Sequence, residues 1–323
     1  MTLSEFQLIR PSNLSEVFAA RRIYPGARLL AGGTDLIPNL RHGIGEAQAL
    51  IDLAAVHGLR EIAVEPSGLH IGAAVTLERL SNDPLIALHA PVLAEAARQI
   101  AGPAHRTAAT LGGNLCLDTR CIYYNQSAWW RQSNGFCLKY RGERCHVAPE
   151  GNRCRAAYSG DAAPVLLALG ATVELGDATG TRWADLDSIF QEDGAAHLRL
   201  GDNQMLLGVR VPVHSGLVAG YEKARLRGAI DFPLAGVAVA LRREKNQLAD
   251  LRIAVTGTNS RPVVLKDCGA LVGLPIDEKI LQQIDKLVQK QVKPMRTALT
   301  PAHSRRRMAA ALAVRLARRL WEA

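Results

Sequence analysis

Aromatic side chains make up only 5% of this 323-residue sequence, too few to build the stacked platform on which single-stranded nucleic acid lies. No run approaches the ~18 uninterrupted apolar residues of a membrane span. Residues 1–10 carry no basic stretch followed by an apolar core, so neither a signal nor a transit peptide is evident and the cytoplasm is the expected compartment. There is no G-x-G-x-x-G and no G-x-x-x-x-G-K-[ST], which excludes the Rossmann and P-loop modes of phosphate binding. The nine histidines are scattered, none in H-E-x-x-H, and G-x-S-x-G is absent. No residue is therefore expected to act as acid, base or nucleophile on a substrate. Cys121, Cys137, Cys145 and Cys154 contain no C-x₂₋₄-C knuckle, the usual mark of structural zinc, and a reducing compartment disfavours disulfides.

With 48% hydrophobic and 21% charged residues the composition is globular, and the length suits two or three packed units. Net charge is +9, from 39 Lys and Arg against 30 Asp and Glu. The basic residues gather at Arg131 to Arg155 and at Arg305 to Arg319. Without aromatic interleaving, this distribution argues against nucleic acid.

Asn13-Leu14-Ser15-Glu16 reads as a capping box opening a helix that Pro25-Gly26 closes. Strands over Ala27 to Ala31 and Ala49 to Leu53 follow, separated by Gly32-Gly33-Thr34-Asp35 and a basic turn near Arg41. Two hairpins are expected, Ile62 to Val64 against Leu69 to Ala74 and Ala171 to Leu175 against Thr181 to Ala184. Helices should cover Pro91 to Ile100 and Ala163 to Gly170, with a strand over Met205 to Val213. Strands Pro233 to Leu241 and Leu251 to Gly257 then precede helices near Asp277 to Lys290 and Pro301 to Trp321. In the last helix Met308, Leu312, Leu316 and Leu320 recur every four residues; docking on its own domain or a partner is the commoner role of such a stripe, a membrane surface the rarer.

Two glycine pairs, Gly32-Gly33 and Gly112-Gly113, stand where backbone N–H groups can converge on an anion, although Gly-Gly is most often only a turn. Five of six cysteines lie between Cys116 and Cys154. Cys121, Cys137, Cys145 and Cys154 are separated by 15, 7 and 8 residues, wide for one zinc ion but within reach of an iron–sulfur cluster held from separate loops. Arg131, Lys139, Arg141, Arg144, Arg153 and Arg155 lie among them and suit an anionic cluster. A solvated basic loop with inert thiols remains the plain alternative. Cys116 and Cys268 read as packing residues.

In order, Leu30-Ala31-Gly32-Gly33-Thr34-Asp35-Leu36, Ile71 to Thr76 and Thr110-Leu111-Gly112-Gly113-Asn114-Leu115 resemble the flavin-binding subunit of the xanthine oxidase family of molybdenum enzymes. The likeness extends through Leu206 to Pro212, Tyr221-Glu222-Lys223 and the arginine-rich C-terminus. It implies an α+β protein: a two-part FAD-binding unit of the vanillyl-alcohol-oxidase type, then a C-terminal α/β domain of the CO dehydrogenase flavoprotein type. The expected divisions are 1–56, 57–215 with a cysteine-rich insertion at about 116–158, and 216–323. The resemblance places Leu30, Ala31, Gly32, Gly33, Thr34, Asp35, Leu36, Thr110, Gly112, Gly113 and Asn114 on FAD, together with Ala101, Leu206 and Lys223. In the family a Ser-Asp pair follows the second glycine turn closely and its aspartate contacts the flavin; here the matching element, which puts Asp161 on FAD, is Ser159-Gly160-Asp161, about forty residues downstream with the cysteine segment between.

An insertion whose two ends touch FAD lies beside it. The branch of the family with such a loop carries a [4Fe–4S] cluster in it and reductively removes a phenolic hydroxyl from an aromatic acyl-CoA. The ligands implied are Cys121, Cys137, Cys145 and Cys154; Cys116 is set aside because it sits two residues past Asn114, in the flavin segment. The resemblance also implies a large molybdopterin subunit and a small [2Fe–2S] subunit in a dimer of heterotrimers, with reduced ferredoxin as donor. An ordinary molybdenum hydroxylase subunit and a basic zinc-binding module are the alternatives.

Overall fold

The computed structural model describes residues 5–296 and 300–323. Three sheets organise the chain. The first is parallel, ordered β1-β3-β2, from β1 (Gln7–Ile9), β2 (Arg28–Leu30) and β3 (Ala49–Asp52). Parallel neighbours need a crossover, and the helix Leu14–Ile23 supplies it between β1 and β2. Asn13 caps that helix, its Oδ1 accepting from Glu16 N at 3.0 Å, while the Glu16 carboxylate returns to Ser12 N at 2.7 Å. Such a cap contributes about 1 kcal/mol. β1 was not expected: its three residues carry no alternation, and only pairing with β3 makes them a strand.

The second sheet is antiparallel, ordered β4-β5-β8-β6-β7, from β4 (Ile62–Glu65), β5 (Gly68–Gly72), β6 (Thr172–Asp177), β7 (Gly180–Asp185) and β8 (Met205–Val211). Both expected hairpins are present. Helices Pro91–Gln99 and Ala162–Ala168 pack with it, joining Leu93, Leu111, Leu166 and Val209 in one buried core.

The third sheet, ordered β12-β11-β10-β9, is built from β9 (Leu217–Ala224), β10 (Ala235–Glu244), β11 (Gln247–Thr256) and β12 (Val263–Val264). Along β10 the side chains alternate. Val237, Val239 and Leu241 face the helices Glu278–Gln291 and Ala302–Glu322, whereas Ala238 and Ala240 join the core of the second sheet. Burial on both faces is why this stretch reads as an unbroken apolar run. The last helix docks on its own domain: Leu312 and Leu316 are buried there, and Arg319 meets Glu222 at 2.6 Å and Arg318 meets Glu278 at 2.6 Å. Each buried leucine contributes about 2 kcal/mol. Among the described residues no helix is long and apolar enough to cross a membrane.

Candidate functional site

The first glycine turn follows β2 and opens the short helix Leu36–Arg41. It borders a cleft with about 880 Å³ of atom-free space, walled on one side by Leu30, Ala31, Gly32 and Gly33 and on the other by Thr76, Thr107, Ala108 and Thr110. Gly33 has φ +69°, a conformation glycine adopts without strain. Gly32 lies so close to the opposite wall that a Cβ there would stand 1.9 Å from the Ala108 carbonyl oxygen. Among the described residues no protein acceptor takes the backbone N–H groups of Gly32, Gly33 and Thr34. Donors aimed from a glycine turn into a long cleft fit the phosphates of a dinucleotide.

The second glycine pair is built differently from the expectation of free amides. Residues Leu111–Leu115 form a short helix capped by Thr110, whose Oγ1 accepts from Gly113 N at 3.1 Å, and Gly112 N donates to the Ala73 carbonyl at 2.8 Å. Gly112 is there for packing: a Cβ would meet Ala73 Cβ at 2.9 Å. The Asn114 Oδ1 accepts from Ala162 N at 3.0 Å and so anchors the segment that carries Asp161. Thr110 is the residue of this element that borders the cleft.

Asp161 and Lys223, far apart in sequence, form a buried ion pair at 3.1 Å, and Tyr221 donates its hydroxyl to Asp161 at 2.5 Å. Burial pushes the Asp161 carboxyl upward, opposed by the Lys223 ammonium. Tyr221 and Lys223 come from β9, an element unexpected from the sequence, so this pairing was not legible there. Leu206 is buried in β8, and Ala101, just past Pro91–Gln99, holds φ +48° with its carbonyl accepting from Arg106 at 3.1 Å.

The cysteine segment packs against the first sheet's loops. Arg120 binds Asp35 of the first glycine turn at 2.7 Å, Arg131 donates to the Gly43 carbonyl at 2.6 Å, and Ile44 shares a small core with Tyr124 and Cys137. Cys121, Cys137, Cys145 and Cys154 all line one small cavity. Cys116 is elsewhere, packed against the main core, where burial pushes its thiol up to about 12. Cys121 accepts from Tyr123 N and Cys154 from Ala156 N, each at 3.4 Å. Burial raises the Cys121 thiol and pushes Cys154 up to about 11, so as free groups these two are protonated and unreactive. Among the described residues no three His, Cys, Asp or Glu side chains are grouped as one metal ion requires.

One cation lines this cavity, Lys139. Its side chain is 5% exposed, and its ammonium is held by Asp118 at 2.7 Å, Thr119 at 2.5 Å and the Gly194 carbonyl at 2.8 Å. His197 is buried close by, and desolvation drives it from an ordinary 6.5 down to about 4. The unfolded chain then takes up a proton that the fold refuses. Stability is full above about 6.5 and falls as pH drops toward about 4, by about 3 kcal/mol. Urea midpoints at pH 7 and pH 4.5 check this: His197→Phe should lose that much less over the interval, and an unchanged acid limb would remove His197 as its cause.

A parallel α/β unit meeting an antiparallel sheet across a glycine-walled cleft, with a further sheet-and-helix layer behind, defines a two-part FAD-binding flavoprotein. The family described as FAD binding domain in molybdopterin dehydrogenase matches residues 4–214, and the CO dehydrogenase flavoprotein C-terminal domain matches residues 219–320. The chain belongs to this family, the FAD-binding subunits of xanthine oxidase-type molybdenum hydroxylases, and FAD is its cofactor. Among relatives, the carbon monoxide dehydrogenase medium chain of Hydrogenophaga pseudoflava is 28% identical over 263 residues, 81% of this chain and 77% of that one. The xanthine dehydrogenase FAD-binding subunit of Escherichia coli O157:H7 is 26% identical over 291 residues, 88% of this chain and 85% of that one. A solved structure of carbon monoxide dehydrogenase from Hydrogenophaga pseudoflava superposes with a TM-score of 0.83 at 23% identity, covering 100% of this chain and 99% of that one. The zinc-module alternative, which lacked flavin, is thereby set aside.

Proposed function

We propose that this chain is the electron-transfer subunit of a 4-hydroxybenzoyl-CoA reductase, carrying a [4Fe–4S] cluster as well as FAD. The observation that carries the reading is the convergence of Cys121, Cys137, Cys145 and Cys154, spread over three intervals of loop, on one cavity that Cys116 does not reach. The donor set is four thiols, the set that holds such a cluster. The bound cofactors supply electron transfer. This chain's residues hold and tune them: the backbone N–H groups of Tyr123 and Ala156, donating to the sulfurs of Cys121 and Cys154, and the buried ammonium of Lys139 stabilise negative charge on sulfur. The Gly32-Gly33 turn grips FAD phosphate, Thr110 closes the opposite wall, and Asp161 and Lys223 lie toward the flavin from the second and third parts of the chain.

In this reading FAD lies between 1–56 and 57–215, the substrate chemistry belongs to a large molybdopterin subunit, and a small [2Fe–2S] subunit links the two. Reduced ferredoxin delivers the electrons in the cytoplasm, and the assembly is a dimer of heterotrimers. Protein purified without oxygen should contain about one FAD, about four irons and about four acid-labile sulfides per chain. FAD without iron would refute the cluster and leave a hydroxylase subunit acting on CO, an aldehyde or an N-heterocycle.

A further inference from the structure

We infer that a basic cavity next to the cysteine segment is the docking site for an acidic protein electron donor. The inference rests on the cluster reading above and adds the place where the donor binds. The cavity is open, with about 1150 Å³ of atom-free space, and its wall carries five cations: Arg155, Lys290, Lys293, Arg296 and Arg306. Glu192 is the one carboxylate in that wall, and it is already held by Arg153 at 3.3 Å and Arg261 at 3.8 Å. Among the described residues none of the five cations has an ion-pair partner, and the Arg155 Nε is buried with no acceptor.

The two basic concentrations of the sequence are thus brought to one place, Arg155 from the first and Arg306 from the second, with the end of the helix Glu278–Gln291 adding Lys290. Arg306 is fixed there by its Nε, which donates to the Val292 carbonyl at 3.2 Å. The position matters as much as the charge. Val147 lines both this cavity and the cysteine cavity, and Arg155 sits in sequence between Cys154 and Ala156, which both line the cysteine cavity. A donor seated on the five cations therefore adjoins the cavity lined by the four thiols.

A permanent subunit contact is rich in apolar surface at its centre, whereas an open wall of unpaired cations suits a partner that arrives by electrostatic steering and leaves. The partner of matching chemistry is a small redox protein with a carboxylate-rich face. Each encounter moves one electron: the donor is oxidised by one, the cluster is reduced by one, and no atom or proton changes place.

The test uses the double variant Lys290→Glu and Lys293→Glu in the enzyme assembled with its partner subunits. Both residues are exposed and neither touches a cofactor site. Stopped-flow reduction by a reduced acidic ferredoxin is compared with reduction by photoreduced deazaflavin, a small neutral reductant. The ferredoxin rate constant at low salt should fall tenfold or more, with the difference vanishing near 1 M salt, while the deazaflavin rate and the iron content stay unchanged. Equal ferredoxin rates with full iron content would overturn the docking site and leave the cluster reading intact. A chain without iron in the unsubstituted enzyme would overturn both. Failure of the variant to assemble, seen by gel filtration, would show that the cavity belongs to a subunit contact and overturn the inference.

Discussion

On the proposed cluster reading, Cys137→Ser is expected to lose iron while keeping about one FAD per chain. Cys137 is buried in the wall of the four-thiol cavity and in the small core with Ile44 and Tyr124. A serine hydroxyl there is a far weaker ligand than a thiolate, and three remaining sulfurs leave one iron open to loss. The flavin cleft has its own walls, Leu30 to Gly33 and Thr107 to Thr110, none of which includes Cys137. Iron and acid-labile sulfide should fall from about four per chain to near zero, with flavin absorbance retained. Cys116→Ser serves as the counterpart, because its thiol packs in the main core away from the cavity, and its iron should be unchanged. Full iron in Cys137→Ser, or iron loss in Cys116→Ser instead, would reassign the ligands.

Gly32→Ala should release FAD. The added Cβ would stand 1.9 Å from the Ala108 carbonyl oxygen and 2.4 Å from its carbon, both backbone atoms that cannot swing aside as a side chain can. The turn and the 107–110 wall must separate, and on the proposed reading the amides of Gly32 and Gly33 would no longer reach the FAD phosphates. Loss of two such charge-assisted hydrogen bonds, at about 1.5–3 kcal/mol each, weakens FAD binding by at least about a hundredfold. Gly228→Ala is the control, since nothing lies within 4 Å of a Cβ at that position, and it should change stability by no more than about 0.5 kcal/mol. Flavin fluorescence titration of the two apoproteins measures the difference. An unaltered FAD affinity in Gly32→Ala would remove the first glycine turn from the cofactor site.

Where local rules decide structure, the sequence was a good guide. The Asn13 cap, both hairpins and the two C-terminal helices stand within a few residues of their expected places. Distant partners decided the rest. β1 exists through β3, and β9 exists through β10, so their short or glycine-broken patterns gave no signal. The second glycine pair looked like the first, yet Ala73 and Thr110 consume its amides, a contact no spacing reveals. The helices Leu77–Asn82 and Pro84–His89 were hidden by their brevity, one ending where the other's Asp83 cap begins. For the cysteines, intervals of 15, 7 and 8 residues measure loop length and not direction. Their meeting depends on turns such as the one at Cys137 and Tyr140, and on Lys139 joining Asp118, Thr119 and Gly194. The sequence held a clue to that lysine in its place two residues after Cys137, but nothing to separate it from its solvated neighbours.

The Asp35–Arg120 bridge has a thermodynamic consequence. Asp35 ends the first glycine turn and Arg120 immediately precedes Cys121, so on the proposed reading one ion pair at 2.7 Å would belong to both cofactor sites at once. If filling either site fixes this pair, the other site is already partly ordered when its own cofactor arrives. Reciprocity then requires that whatever factor the cluster adds to FAD affinity, FAD adds to the cluster's. Assembly becomes cooperative, and a chain that has taken one cofactor is biased toward taking both.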